Sequence, residues 1–165
     1  MGLHLDVKEI AEHTMLVDLA RNDLASICRP GTRRVERPLR VEKFTHVQHL
    51  VSTVVGRLEA RVDALHAYAA TANMGTVTGA PKSEAMRTIY RIERRRRGFY
   101  AGAIGYLALD GALNTALVIR SVRVGRGGTS LQAGAGIVHD SVGENEFAET
   151  ERKLAGSAEA VGVRL

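Results

Sequence analysis

A single cysteine, Cys28, stands among the 165 residues, so no intramolecular disulfide framework can hold this chain, and a lone thiol fits a reducing compartment. No apolar run approaches the roughly 18 residues that a membrane-spanning helix needs. Met1 to Lys8 holds no apolar stretch long enough for a secretory signal. A cytoplasmic location without a membrane partner is the expectation. Internal repeats, low-complexity tracts and a recognisable linker are missing too, which leaves one α+β unit as the expected organisation. Acidic residues are the scarcer charge, 18 against 23 Lys and Arg, for a net +5. The excess sits largely in two short clusters, Arg33-Arg34 and Arg94 to Arg97, and not along a stripe, so nucleic acid is not the expected partner. What remains is 45% hydrophobic and 25% charged, a composition that suits one soluble domain with its own core.

From Val7 to about Leu24, apolar residues recur at Ile10, Met15, Leu16, Leu19, Ala20 and Leu24, a spacing that predicts an amphipathic helix. Ser26 to Gly31 breaks it. Arg33 to Phe44 alternates charges with valines and predicts one or two strands, and the Val- and Thr-rich His46 to Leu58 predicts a largely buried strand. Asp63 to Thr71 reads as a short helix, Gly75 to Pro81 as a glycine-rich loop, and Ser83 to Arg96 as a second helix finished by its arginines. Ala101 to Leu109, Leu113 to Val124 and Ser130 to Val138 favour strands, with turns at Asp110-Gly111 and Gly125 to Gly128, and together predict an antiparallel meander. Glu144 to about Ala160 starts acidic, as a helix N-terminus prefers. The fold class is therefore α+β, an antiparallel sheet flanked by helices. The sheet reads as incomplete, with further strands expected beside the meander and an exposed edge without them.

Glu9 and Glu12 share one helix face, and Glu146 and Glu149 repeat the arrangement near the other end. Such carboxylates suit a hard cation such as Mg2+, or are simply two solvated helix faces. Gly75-Thr76-Val77-Thr78-Gly79-Ala80-Pro81-Lys82 fails the Walker pattern, because the lysine does not follow the second glycine directly and Pro81 removes a donor. Its backbone either approaches an anion or makes a tight turn into the next helix. Gly134-Ala135-Gly136 offers amides to a carboxylate or forms a bulge. Arg120, in Val118-Ile119-Arg120-Ser121, is a charge in an otherwise apolar strand that either pairs with a ligand carboxylate or lies on an exposed face. His46 and His49 fall on opposite strand faces and are poor joint metal ligands. Either is an acid-base candidate or structural. Tyr100 is a core residue or a hydroxyl donor.

Ala11-Glu12-His13-Thr14-Met15-Leu16-Val17-Asp18-Leu19-Ala20-Arg21-Asn22-Asp23, the Gly75 to Lys82 loop and Gln132-Ala133-Gly134-Ala135-Gly136-Ile137-Val138, in that order and spacing, resemble anthranilate synthase component I over essentially the whole chain. The resemblance implies an α+β assembly of antiparallel sheets wrapped by helices around a cleft. Residues 1–165 would form roughly its C-terminal third, with the upstream catalytic part and the N-terminal feedback region missing and no tryptophan inhibition expected. It implies Glu12 and Glu149 as direct Mg2+ ligands, with Glu9 and Glu146 holding the metal's waters. It assigns His49 to the ring chemistry, Tyr100 and Arg120 to the enolpyruvyl carboxylate, and Thr76 with Gly134, Ala135 and Gly136 to substrate contacts. Lys153 would lie near the bound carboxylate. Thr14 and Arg152 depart from the family's usual residues, a larger apolar side chain and an asparagine, in ways the fold should tolerate.

The implied reaction adds ammonia to C2 of chorismate with loss of the C4 hydroxyl, then eliminates pyruvate to leave anthranilate, a carbon-oxygen lyase step of tryptophan biosynthesis. Ammonia would come from a glutamine amidotransferase subunit or domain. A 2-amino-2-deoxyisochorismate synthase of a phenazine-like pathway would share these residues and stop before pyruvate leaves. Aminodeoxychorismate synthase fits less well, since Asn73-Met74-Gly75-Thr76 resembles the anthranilate type. From a different class, a truncated remnant or partner-binding module without turnover of its own remains an expectation to set beside these.

Overall fold

The computed structural model describes residues 7–43 and 48–163, with the Lys8 side chain excepted. Phe44 and His46 lie outside them, as does the leading segment 1–6, so the readings placed there have no structural counterpart.

Helix α1, Val7–Ala25, follows its apolar spacing: Ile10, Leu16, Val17, Leu19, Ala20 and Leu24 are partly covered, whereas Met15 is exposed. It packs against two strands, β1 (Arg34–Lys43) and β2 (Gln48–Val55), which pair antiparallel from Arg34↔Val55 to Lys43↔Gln48. The register shifts between Glu36 and Arg40, where Arg37 and Leu39 take positive φ of 48° and 53° around Pro38. This bulge is pinned from both sides. The Leu39 amide donates to the Ser52 hydroxyl at 3.0 Å, and that oxygen lies 2.6 Å from His13 Nε2 on α1. Beyond α1 the chain turns through Ile27 and Cys28, both buried, and Cys28 bridges to Leu58 over Gly56.

Helix α2, Ala64–Thr71, is capped by Asp63, whose carboxylate accepts from the His66 amide at 2.9 Å. The predicted glycine-rich loop contains a short helical turn, α3 (Gly75–Thr78), that lies against α1. A Cβ on Gly75 would stand 1.9 Å from Leu19 Cδ2, so the approach requires glycine. Helix α4 runs Lys82–Glu93 and ends where Arg94 turns left-handed at φ 50°, three residues earlier than its arginine run suggests.

The expected meander is replaced by separate hairpins. Strand β3 (Ala103–Leu107) pairs with β4 (Leu113–Leu117), and β5 (Val122–Gly125) with β6 (Gly128–Leu131), each as a two-stranded antiparallel sheet apart from β1–β2. The predicted strand Leu113 to Val124 is therefore two, broken around Arg120, whose φ of 50° no regular strand accommodates. Ser130 to Val138 leaves strand geometry after Leu131, so Gly134 to Gly136 lie in an irregular segment. Helix α5, Gly143–Ala160, packs on β6 and buries Glu146, Ser157 and Ala158. Helices and antiparallel strands are mixed as expected. Among the described residues no helix is long and apolar enough to cross a membrane.

Candidate functional site

Glu146, Glu149 and Lys153 follow one another on α5 at helical spacing and so share a face. Glu146 is 6% exposed, an unusual setting for a charged side chain and one that needs compensating partners. Glu149 is ion-paired with Lys153 at 2.5 Å, and the Lys153 ammonium also donates to the Gly134 carbonyl at 3.1 Å. The irregular glycine segment is thus tied to α5 through the Gly134 carbonyl.

His49, in contact with Arg120, stands within electrostatic reach of this pair. His49 projects from β2, and Arg120 sits at the break between β4 and β5, where its left-handed backbone takes the side chain out of the strand pattern. The Arg120 guanidinium donates to His49 Nε2. That contact requires a neutral imidazole with its proton on Nδ1. Burial lowers the His49 pKa from its ordinary value, and the charges of Arg120 and Lys153 push it the same way against the opposing Glu149 carboxylate. The imidazole is therefore held neutral. Arg120 keeps a further donor in reserve: its Nε is buried with no hydrogen-bond partner among the described residues. A buried guanidinium donor without an acceptor is costly, and a carboxylate ligand is the acceptor whose geometry it fits.

Tyr100 closes the cluster. Its hydroxyl lies 3.1 Å from where a Cβ on Gly134 would be, so the glycine leaves room for the phenol beside the carbonyl that Lys153 holds. Burial raises the Tyr100 pKa, with Arg97 lowering it and Glu93 raising it, so the phenol stays a donor. His49, Tyr100, Arg120, Gly134, Glu149 and Lys153, spread over more than 100 residues of chain, are thereby linked by direct contact or shared charge.

The remaining candidates are joined less closely. Thr76 is exposed on α3, Ala135 is half-buried and Gly136 exposed. On α1, Glu9 is exposed, while Glu12 is half-buried with its Oε1 shielded from solvent. Among the described residues no three His, Cys, Asp or Glu side chains gather as a preformed metal site. Mg2+ commonly takes one or two protein carboxylates and keeps its waters, so Glu12 and Glu149 remain an apt donor set in chemistry. A recess of about 390 Å3, lined by Glu84, Arg87, Tyr90 and Arg91 on the exposed side of α4, includes no candidate residue.

One ion pair that the sequence did not reveal fixes the loop. The Lys82 ammonium meets both Asp23 oxygens at 2.8 and 2.7 Å, with both side chains largely shielded at 20% and 17% exposure. It ties the start of α4 to the end of α1 and so brackets α3. Replacing Lys82 with methionine strands the Asp23 carboxylate and should cost about 2 kcal/mol. Chemical denaturation of Lys82→Met beside Lys82→Met/Asp23→Leu, both in the complete polypeptide, reads this: the double variant should regain part of the loss, and equal loss in both would contradict it.

The model of the chorismate binding enzyme family matches residues 1–159. Anthranilate synthase component 1 of Haemophilus influenzae is 52% identical over 161 residues, covering 98% of this chain and 31% of that protein. A Pseudomonas aeruginosa protein named anthranilate synthase component 1, pyocyanine specific, is 54% identical over 159 residues, covering 96% and 30%. The chain thus spans about 31% of the length of the curated relatives it matches. Among solved structures, anthranilate synthase component I from Streptococcus pneumoniae superposes with a TM-score of 0.86 at 48% identity, over 92% of this chain and 35% of that one. A Bacillus anthracis protein assigned as a 2,3-dihydroxybenzoate-specific isochorismate synthase gives 0.87 at 30%, over 97% and 42%.

Proposed function

Since the chain belongs to the chorismate binding enzyme family, we propose that it carries chorismate-binding residues of an anthranilate synthase, from the C-terminal part of the catalytic domain. The observation that carries the reading is the buried, acceptor-less Nε of Arg120, set among His49, Lys153 and, through Gly134, Tyr100. Converging guanidinium, ammonium and phenol donors suit a dicarboxylate. Of the relatives, those named anthranilate synthase are about half identical, and the isochorismate synthase is more distant.

In this reading Arg120 and the Tyr100 hydroxyl grip the enolpyruvyl carboxylate. A carboxylate that takes Arg120 releases His49 Nε2, leaving a neutral imidazole able to accept and return a proton while the ring loses its C4 hydroxyl and then pyruvate. Lys153 and the Gly134 to Gly136 backbone hold the remaining anionic edge, and Thr76 orients the ring from α3. Glu12 and Glu149 would hold Mg2+, with Glu9 and Glu146 fixing its waters, and the ion's contribution when bound is to neutralise and orient the ring carboxylate. The balance is chorismate plus ammonia to anthranilate, pyruvate and water, with ammonia from a glutamine amidotransferase partner.

Mass spectrometry of products from chorismate, ammonia and Mg2+, using the complete polypeptide that carries these residues, tests the reading. Anthranilate with pyruvate is expected. Accumulated 2-amino-2-deoxyisochorismate would favour the phenazine-type alternative, and a 4-amino product would contradict both. Glu149→Gln removes a ligand charge and should weaken chorismate binding by about tenfold when Mg2+ is present and little when it is absent. Equal binding with the metal present would contradict its role.

A further inference from the structure

The run Arg94 to Arg97 reads as surface charge, and three of its members are exposed, with Arg94 closing α4. Arg97 is different. It folds back over the helix end with its side chain 20% exposed, and all three guanidinium nitrogens are engaged. Nε and Nη2 donate to the Glu93 carboxylate, at 2.9 Å and 2.6 Å, and Nη1 donates to the Val77 carbonyl of α3 at 2.7 Å. The guanidinium carbon stands 5.5 Å from the centroid of the Tyr100 ring, in cation-π range. One side chain thus spans three pieces of chain: the turn that carries Thr76, the end of α4 and the segment that carries Tyr100. Glu93 holds the fork from below and aims it. A lysine in its place has the charge but no planar fork to reach carbonyl, carboxylate and ring together.

We infer that Arg97 is a positioning residue that sets the Tyr100 phenol and the Thr76 turn at the spacing a chorismate carboxylate and ring require. The inference rests on the chorismate reading above, and adds to it a residue that touches no substrate atom. If Arg97 acts through Tyr100, removing both should cost little more than removing one, because residues that work as a unit are not additive.

The test is a double-mutant cycle in the complete polypeptide, reading KM and kcat for chorismate in Arg97→Ala, Tyr100→Phe and the combined variant, with Arg97→Lys and Arg96→Ala beside them. Arg97→Ala should raise KM about tenfold with a smaller change in kcat, Arg97→Lys should recover part of it, and Arg96→Ala should leave both constants unchanged. The combined variant should match the worse single variant within about twofold. Multiplying losses in the cycle would overturn the inference while leaving chorismate as substrate. Should Arg97→Ala fail to fold, the same cycle built on Arg97→Lys decides between these outcomes. Absence of chorismate binding by the unaltered protein would overturn both the reading and the inference.

Discussion

If Arg120 grips a chorismate carboxylate as proposed, replacing it with alanine in the complete polypeptide should lower kcat/KM for chorismate by about 10²- to 10³-fold, the range expected when a preorganised charged donor to a reacting substrate is lost. Its setting makes the effect large. The guanidinium is half-buried, its Nε has no acceptor, and its backbone is held left-handed at φ 50°, so the fold maintains a costly arrangement whose return is a fixed donor. Arg120→Lys should recover little, because an ammonium cannot offer two parallel N–H groups. Without Arg120, burial and Lys153 still keep the His49 pKa down, so the imidazole stays neutral and the loss reflects substrate grip and not a change in the base. Steady-state kinetics of both variants decide it. A loss below about threefold in Arg120→Ala would place the carboxylate elsewhere.

The second large effect concerns stability. The 165 residues expose 12129 Å2, whereas a compact monomer of this length exposes about 8,000 Å2. Buried apolar side chains among the described residues are Ile27, Cys28 and Ala158, while Ile104, Tyr106 and Leu107 of β3, Tyr90 and Ile92 of α4, and Phe99 stand more than half exposed. A lone two-stranded hairpin such as β3–β4 is at best marginally stable in water. The isolated chain should therefore melt without a sharp transition and bind a hydrophobic dye. It should gain a cooperative melt when mixed with a polypeptide supplying the other two thirds of a relative's length. Calorimetry with and without that polypeptide reads this directly. A sharp, two-state transition from the isolated chain would contradict it.

Local pattern carried the helices well, because α1, α2 and α5 each combine helical apolar spacing or good helix formers with a clear boundary, such as Asp63 before α2. It carried β1 and β2 as strands, but not the burial expected of β2, whose residues are half-covered or exposed, nor the bulge between Glu36 and Arg40, which depends on Ser52 and His13 from elsewhere in the chain. The break at Arg120 was illegible because Val118-Ile119-Arg120-Ser121-Val122 favours strand at nearly every position, and strand propensity yields to tertiary context. Alternation likewise says which residues make strands and not which strands pair, so two separate hairpins read as one meander.

The candidate residues came from resemblance and not from local physics. Spacing left Arg120, Tyr100 and Gly134 each with a structural explanation, and what separates the readings is proximity across the chain, which no local pattern encodes. Arg97 and Lys82 were passed over for related reasons. One lies in a run of like charges that reads as solvated, the other reads only as the lysine of a phosphate-loop pattern that fails, and the contacts that distinguish them come from 20 and 59 residues away. Glu93, four residues before Arg97, was the available local signal.

The claim that these scattered segments form one chorismate site is tested most directly by hydrogen–deuterium exchange on the complete polypeptide, with and without chorismate and Mg2+ together. Simultaneous slowing in the peptides that carry Thr76, Tyr100, Arg120, Gly134 to Gly136 and Lys153 is the predicted result, since a ligand bridging them suppresses their local opening. Slowing confined to one of those segments, or to none, would contradict it.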